Sequence, residues 1–73
     1  MPISLVLADD HPLILDAMET LFSLQKEFKI VAQCGTSDEA IEAVRKHRPD
    51  ILLLDIGMPG KNVFEVIREM QKD

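Results

Sequence analysis

The sequence predicts an α/β fold on a small parallel sheet, and three observations carry that reading. Two apolar runs of strand length, Ile3-Ser4-Leu5-Val6-Leu7-Ala8 and Ile51-Leu52-Leu53-Leu54, have the near-continuous hydrophobicity of buried parallel strands. Strand-like stretches alternate with stretches of helical spacing, so the element order is βαβαβα, and right-handed crossovers then put helices on both sides of the sheet. Each of the two runs ends in acid, Asp9-Asp10 after the first and Asp55 after the last.

The elements follow in order. The first strand is Ile3 to Ala8. Pro12 suits the first turn of a helix, where its missing N–H costs nothing, and Leu13, Ile14, Ala17, Met18, Leu21 and Phe22 continue it at helical spacing. Gln25-Lys26-Glu27 breaks the pattern. Phe28, Ile30 and Ala32 alternate with Lys29, Val31 and Gln33, which predicts a second strand at a sheet edge, closed by Gly35. Thr36 and Glu39 form a capping box for a second helix, with Ala40, Ile41, Ala43 and Val44 inward and Pro49-Asp50 as its stop. The third strand, Ile51 to Leu54, is apolar at every position and is expected to be covered on both faces. Gly57-Met58-Pro59-Gly60 predicts a loop, and Val63, Val66, Ile67 and Met70 a third helix.

Composition narrows the function. The 73 residues are 47% hydrophobic and 29% charged, as in a small soluble domain that is marginal without help. No apolar run is long enough to span a membrane, and Met1-Pro2-Ile3-Ser4 lacks the basic start of a signal peptide. The single cysteine, Cys34, excludes an internal disulfide, reads as a small buried hydrophobe and fits a reducing cytoplasm. A net charge of −5 argues against nucleic-acid contact by this segment, and nothing in it resembles a helix-turn-helix. Arg45-Lys46-His47-Arg48 closes a helix, where its charge suits the helix dipole.

The chemistry lies in the acids. Carboxylates at the carboxyl ends of neighbouring parallel strands converge in one crevice, and like charges held together call for a cation or a proton. A hard divalent ion prefers oxygen ligands, which points to phosphoryl chemistry on a carboxylate. Singly, Asp9 and Asp10 would be helix-start acids and Asp55 a polar strand end; together with the Gly-Met-Pro-Gly turn they form a site. His11 is expected to pack or cap beside Pro12, and His47 to be a solvated helix end. Met18, Met58 and Met70 are expected to pack, and Asp38-Glu39 with Glu42 to be a solvated helix start.

These motifs resemble the receiver domain of bacterial response regulators, and Asp9-Asp10-His11-Pro12 is similar to receivers of the LuxR type, whose full-length members carry a helix-turn-helix output domain. The resemblance covers residues 1–73 as a partial receiver. It implies a flavodoxin-like sheet of strand order 2-1-3, truncated after the third βα unit, with no output domain present. It also implies that Asp55 is the phosphoacceptor, that Asp10 holds Mg²⁺ (or Mn²⁺) directly and Asp9 mostly through water, and that Asp55 and the Gly57 carbonyl complete the protein's ligands. A sensor histidine kinase would be the donor, and the parent a cytoplasmic two-component transcription regulator rather than a conventional enzyme. Two features depart from the family. Val63 stands where many receivers have glycine, which predicts a stiffer loop or an earlier helix. The Ser/Thr and Lys of the family's fourth and fifth strands have no counterpart before Asp73, so weaker phosphotransfer is expected of this segment alone. One alternative is a fragment that only folds or dimerises, with the edge of the third strand pairing copies into a homodimer or higher assembly. A phosphatase-like enzyme is disfavoured because Gly57 stands where its general-acid Asp would be.

Overall fold

The computed structural model describes residues 2–58, 60 and 62–72; the Pro59 of the predicted loop lies outside them. The elements are β1 (Ile3–Ala8), α1 (Pro12–Ser23), β2 (Phe28–Cys34), α2 (Ser37–His47), β3 (Ile51–Leu54) and α3 (Val63–Met70). The three strands are parallel in the order β2-β1-β3, as the resemblance implied. Central β1 is the most deeply buried element, with Leu5, Val6 and Leu7 at 1% exposure or less.

The two sheet faces follow from register. Leu5 and Leu7 pair with Ile51 and Leu53, and Val6 and Ala8 with Leu52 and Leu54. Paired residues share a face. Val6 and Ala8 join Cys34, Ala40, Ala43 and Met58 in a buried core against which Val31, Leu52, Leu54 and Met70 pack. Cys34 is thus the small buried hydrophobe expected, and burial raises its thiol pKa.

Strand β2 departs from simple alternation. Leu5 pairs with Ile30 but Val6 with Ala32, so Val31 is bulged out of the ladder. An extra residue in one strand reverses which residues face which side. Phe28 and Ile30 therefore share the face of Leu5, where the Phe28 ring meets Phe22 of α1 edge-on at 5.3 Å, while Ala32 and Cys34 share the opposite face with Val6 and Ala8. The expectation of one apolar face through Phe28, Ile30 and Ala32 is corrected by that bulge.

Two further expectations change. In α1 the half-buried residues are Leu15, Met18 and Phe22, an i, i+3, i+7 stripe, and no residue of the helix is fully buried. Leu13 is 83% and Leu21 65% exposed, so the apolar spacing overstated the inward face. In β3 only the core side is covered: Leu52 and Leu54 are half-buried, but Ile51 and Leu53 are 40% and 37% exposed. Helix α1 packs over β2 and leaves that side of β3 open among the described residues.

The helix ends are chemically specified. Thr36 Oγ1 accepts the Glu39 N–H at 3.2 Å, while Glu39 Oε1 takes the Gly35 N–H at 3.0 Å, one residue earlier than in the usual capping box. Helix α2 stops at Arg48, which adopts the left-handed conformation (φ 45°) and donates its N–H to Val44 O. Asn62 caps α3 by accepting the Glu65 N–H at 3.0 Å, so the helix begins at Val63 as the sequence indicated. At the amino end of the sheet, the Ser4 N–H and hydroxyl both donate to Asp50 Oδ2, tying β1 to the start of β3.

Candidate functional site

The carboxyl ends of β1 and β3 meet at one edge of the sheet because their acids extend the backbone ladder. The Asp9 N–H donates to Cys34 O and the Asp55 N–H to Ala8 O, each at 2.9 Å. Asp9 is therefore held by β2, and Asp55 by β1. One ligand atom each from Asp9, Asp10, His11 and Asp55 falls within 4.8 Å of every other. The two acidic elements, 45 positions apart in sequence, are thus brought together as the strand-end argument required.

Each side chain has a defined partner. Asp9 is buried, and its Oδ1 accepts both the His11 N–H at 2.9 Å and a hydrogen bond with His11 Nδ1 at 2.7 Å. His11 Nδ1 also lies 3.0 Å from Asp10 Oδ1 and 3.8 Å from Asp55 Oδ2. Gly57 donates its N–H to Asp55 Oδ1 at 3.0 Å, which fixes the rotation of that carboxylate. Met58 is buried in the core just beyond and anchors the loop. A cleft of about 260 Å³, lined by Ala8, Asp9, Met18, Leu53, Leu54 and Asp55, opens beside the acids.

The electrostatics follow from these contacts. The His11 hydrogen bond holds the Asp9 carboxyl below its ordinary range, against an opposing effect of burial. The same bond, with the charges of Asp10 and Asp9, raises the His11 imidazole above its ordinary value. His11 is the residue that sequence reasoning misplaced. It is the N-cap of α1 by backbone position but makes no side-chain cap, and its ring turns into the carboxylates. Its adjacency to Asp10 places it beside the strand-end crevice, but nothing in the sequence sets the direction of its ring.

The donor set fits a hard divalent cation. Three carboxylates from two strand ends supply oxygen ligands, and exposed Asp10 leaves the site open to solvent and to a further ligand.

A parallel three-layer α/β arrangement with acids gathered at the carboxyl end of its sheet is the frame of a signalling receiver. The response regulator receiver domain family matches residues 5–73, and the chain belongs to it. It is 33% identical over 69 residues to the transcriptional regulatory protein DesR of Bacillus subtilis, covering 94% of this chain and 35% of that protein. It is 30% identical over 71 residues to the nitrate/nitrite response regulator NarL of Escherichia coli, covering 97% and 33%. Among solved structures, a LuxR-family two-component response regulator from Aurantimonas superposes with a TM-score of 0.87 at 26% identity, covering 99% of this chain and 51% of that one. The signal receiver domain of a NarL response regulator from Mycobacterium tuberculosis superposes with a TM-score of 0.90 at 30% identity, covering 97% and 57%. The chain spans about a third of the length of these curated relatives, one named a transcriptional regulatory protein and the other a response regulator. Among the described residues no helix is long and apolar enough to cross a membrane.

Proposed function

We propose that Asp55 is the phosphoacceptor of a two-component receiver and that a histidine kinase is its donor. The observation that carries this reading is the convergence of Asp9 and Asp10 with Asp55, whose carboxylate is oriented by the Gly57 N–H. In the reaction an Asp55 carboxylate oxygen forms a bond to the phosphoryl phosphorus as the bond from phosphorus to the kinase imidazole nitrogen breaks. The leaving imidazole keeps the bonding pair and takes up a proton. Asp10 directly, Asp9 mostly through water, Asp55 and the Gly57 carbonyl would hold Mg²⁺ or Mn²⁺, which when bound offsets the charge between carboxylate and phosphoryl oxygens. The chain itself positions the nucleophile, collects the acids and keeps one side of the cleft apolar through Met18, Leu53 and Leu54.

On this reading the chain accepts one phosphoryl group rather than turning over substrate as a conventional enzyme. It acts in the cytoplasm and controls a DNA-binding output domain in the full-length protein. The test is phosphorylation of that protein by a small phosphodonor with Mg²⁺, followed by mass spectrometry of the modified residue. Phosphoryl incorporation at Asp55, abolished by Asp55→Asn and dependent on Mg²⁺, is expected. Incorporation unchanged in Asp55→Asn would overturn the assignment.

A further inference from the structure

We propose that the carboxyl end of α2 is a docking site for an acidic segment of a partner protein, one that seats an apolar side chain between carboxylates. Arg45-Lys46-His47-Arg48 holds three of the chain's eight Lys and Arg residues in one run, although the chain as a whole carries a net charge of −5. All four residues are exposed, and the side chains of Lys46, His47 and Arg48 form no hydrogen bond or ion pair among the described residues. Two neighbouring acids are engaged elsewhere. Asp50 Oδ2 accepts the Ser4 N–H at 2.8 Å and the Ser4 hydroxyl at 3.1 Å, and Glu69 Oε2 meets Lys72 Nζ at 2.7 Å. Glu42, one turn before Lys46, lines a separate cavity against β2. The helix dipole accounts for only part of the cluster, since it places about half an elementary charge at a helix end, against three fixed cations.

The cluster surrounds a cavity of about 230 Å³, lined by Val44, Arg45, Arg48, Pro49 and Met70. Val44, Pro49 and Met70 are half-buried and form an apolar floor, and the two arginines form a cationic rim. The walls are fixed. Arg45 Nη2 donates to Glu69 O at 3.3 Å, which ties α2 to the end of α3, and Arg48 turns the chain at φ 45° into Pro49, whose ring constrains its own φ. A guanidinium recognises a carboxylate through two parallel hydrogen bonds, and an apolar side chain beside that carboxylate would fill the floor. Nucleic acid would match the rim without the floor, and the net charge opposes it. The placement also suits an acidic partner. Helix α2 ends at the amino end of the sheet, where Asp50 meets Ser4, whereas Asp9, Asp10 and Asp55 gather at the carboxyl end. An acidic segment is drawn to the first pole and repelled from the second, so docking leaves the Asp55 crevice free.

The test measures binding of a fluorescent peptide, Leu flanked by Asp and Glu, to the full-length protein by anisotropy. Binding is expected, and it should weaken as salt is raised, because exposed charges are screened within about 10 Å at 0.1 M. Lys46→Glu with Arg48→Glu should weaken it by roughly tenfold or more, the effect of setting like charges against each other. Lys26→Glu with Lys29→Glu makes the same change of charge at exposed positions outside the cluster and should leave binding nearly unchanged. Circular dichroism checks that both variants fold. The same peptide with Gln in place of Leu should bind the unmodified protein more weakly, a comparison that depends on no variant. Equal weakening in the two variants would show that net charge alone holds the peptide and overturns the proposal. Equal affinity for the Gln peptide overturns it as well, because the cavity floor would then play no part. Absence of binding to the unmodified protein overturns it outright.

Discussion

Of the three glycines, Gly60 is the least free to change. Its φ of 108° is costly for any residue with a Cβ, and a Cβ built there would collide with the Oγ of Ser37, itself 1% exposed at the start of α2. The approach ties the loop after Asp55 to α2. Gly60→Ala is therefore expected to destabilise the fold by roughly 1–3 kcal/mol, measured by urea unfolding. The Asp9–His11 pair makes a second prediction at this scale. His11 is raised from 6.5, so its contribution is complete below pH 6.5 and is lost as pH rises through its folded value. Asp9 is lowered from 3.8, so its contribution is complete above pH 3.8 and is lost as pH falls through its folded value. In metal-free buffer the pair then stabilises the fold most between pH 3.8 and 6.5. An NMR titration should place the His11 midpoint above 6.5 and show it falling in Asp9→Asn, the direction set by loss of its first partner. A midpoint unmoved by that substitution would assign the shift to the charges of Asp10 and Asp55.

At the scale of elements, the caps carry the clearest expectations. Thr36→Ala removes the side chain that accepts the Glu39 N–H and should cost about 1 kcal/mol. Arg48→Gly relieves the left-handed residue that ends α2 and should gain roughly 0.5–1 kcal/mol, part of the conformational relief being offset by a more flexible unfolded chain. Thermal or urea unfolding checks both signs. The legible parts of the fold are those that local chemistry dictates. Pro12 at the start of α1, Thr36 with Glu39 at α2 and the apolar run of β3 give their elements at the residues observed. Asn62 with Glu65 carries the same kind of cap signal at α3. The Val31 bulge was not legible, because Val31 continues a regular alternation and only the pairing with β1 skips it. Exposure of Leu13 and Leu21 was also hidden, because helical spacing shows that residues share a face and not which neighbour covers it. In the site, the convergence of Asp9, Asp10 and Asp55 followed from where parallel strands end. The direction of the His11 ring depended on side-chain torsions that sequence position does not set.

For the whole molecule the open side of the sheet governs behaviour. Among the described residues β3 pairs only with β1, so its outer backbone groups face no strand, and Ile51 and Leu53 stand exposed on the α1 side. An apolar strand of four residues without charge, Pro or Gly is a template for another chain. Two copies related by a twofold axis perpendicular to the sheet would pair their β3 strands antiparallel. Residues directly opposite in an antiparallel pair share a face, so the register must centre on a residue. Centring on Leu52 sets Ile51 against the partner's Leu53, and by symmetry Leu53 against the partner's Ile51, covering both exposed side chains at once. The 73-residue chain is therefore expected to self-associate with rising concentration, as light scattering after size exclusion would show. Leu53→Lys places a charge on that edge in both copies and should shift the chain to monomer while leaving the helical circular dichroism in place. A folded monomer at every concentration, with the amides of Leu52 to Leu54 protected from exchange, would show that the β3 edge is covered from within the chain.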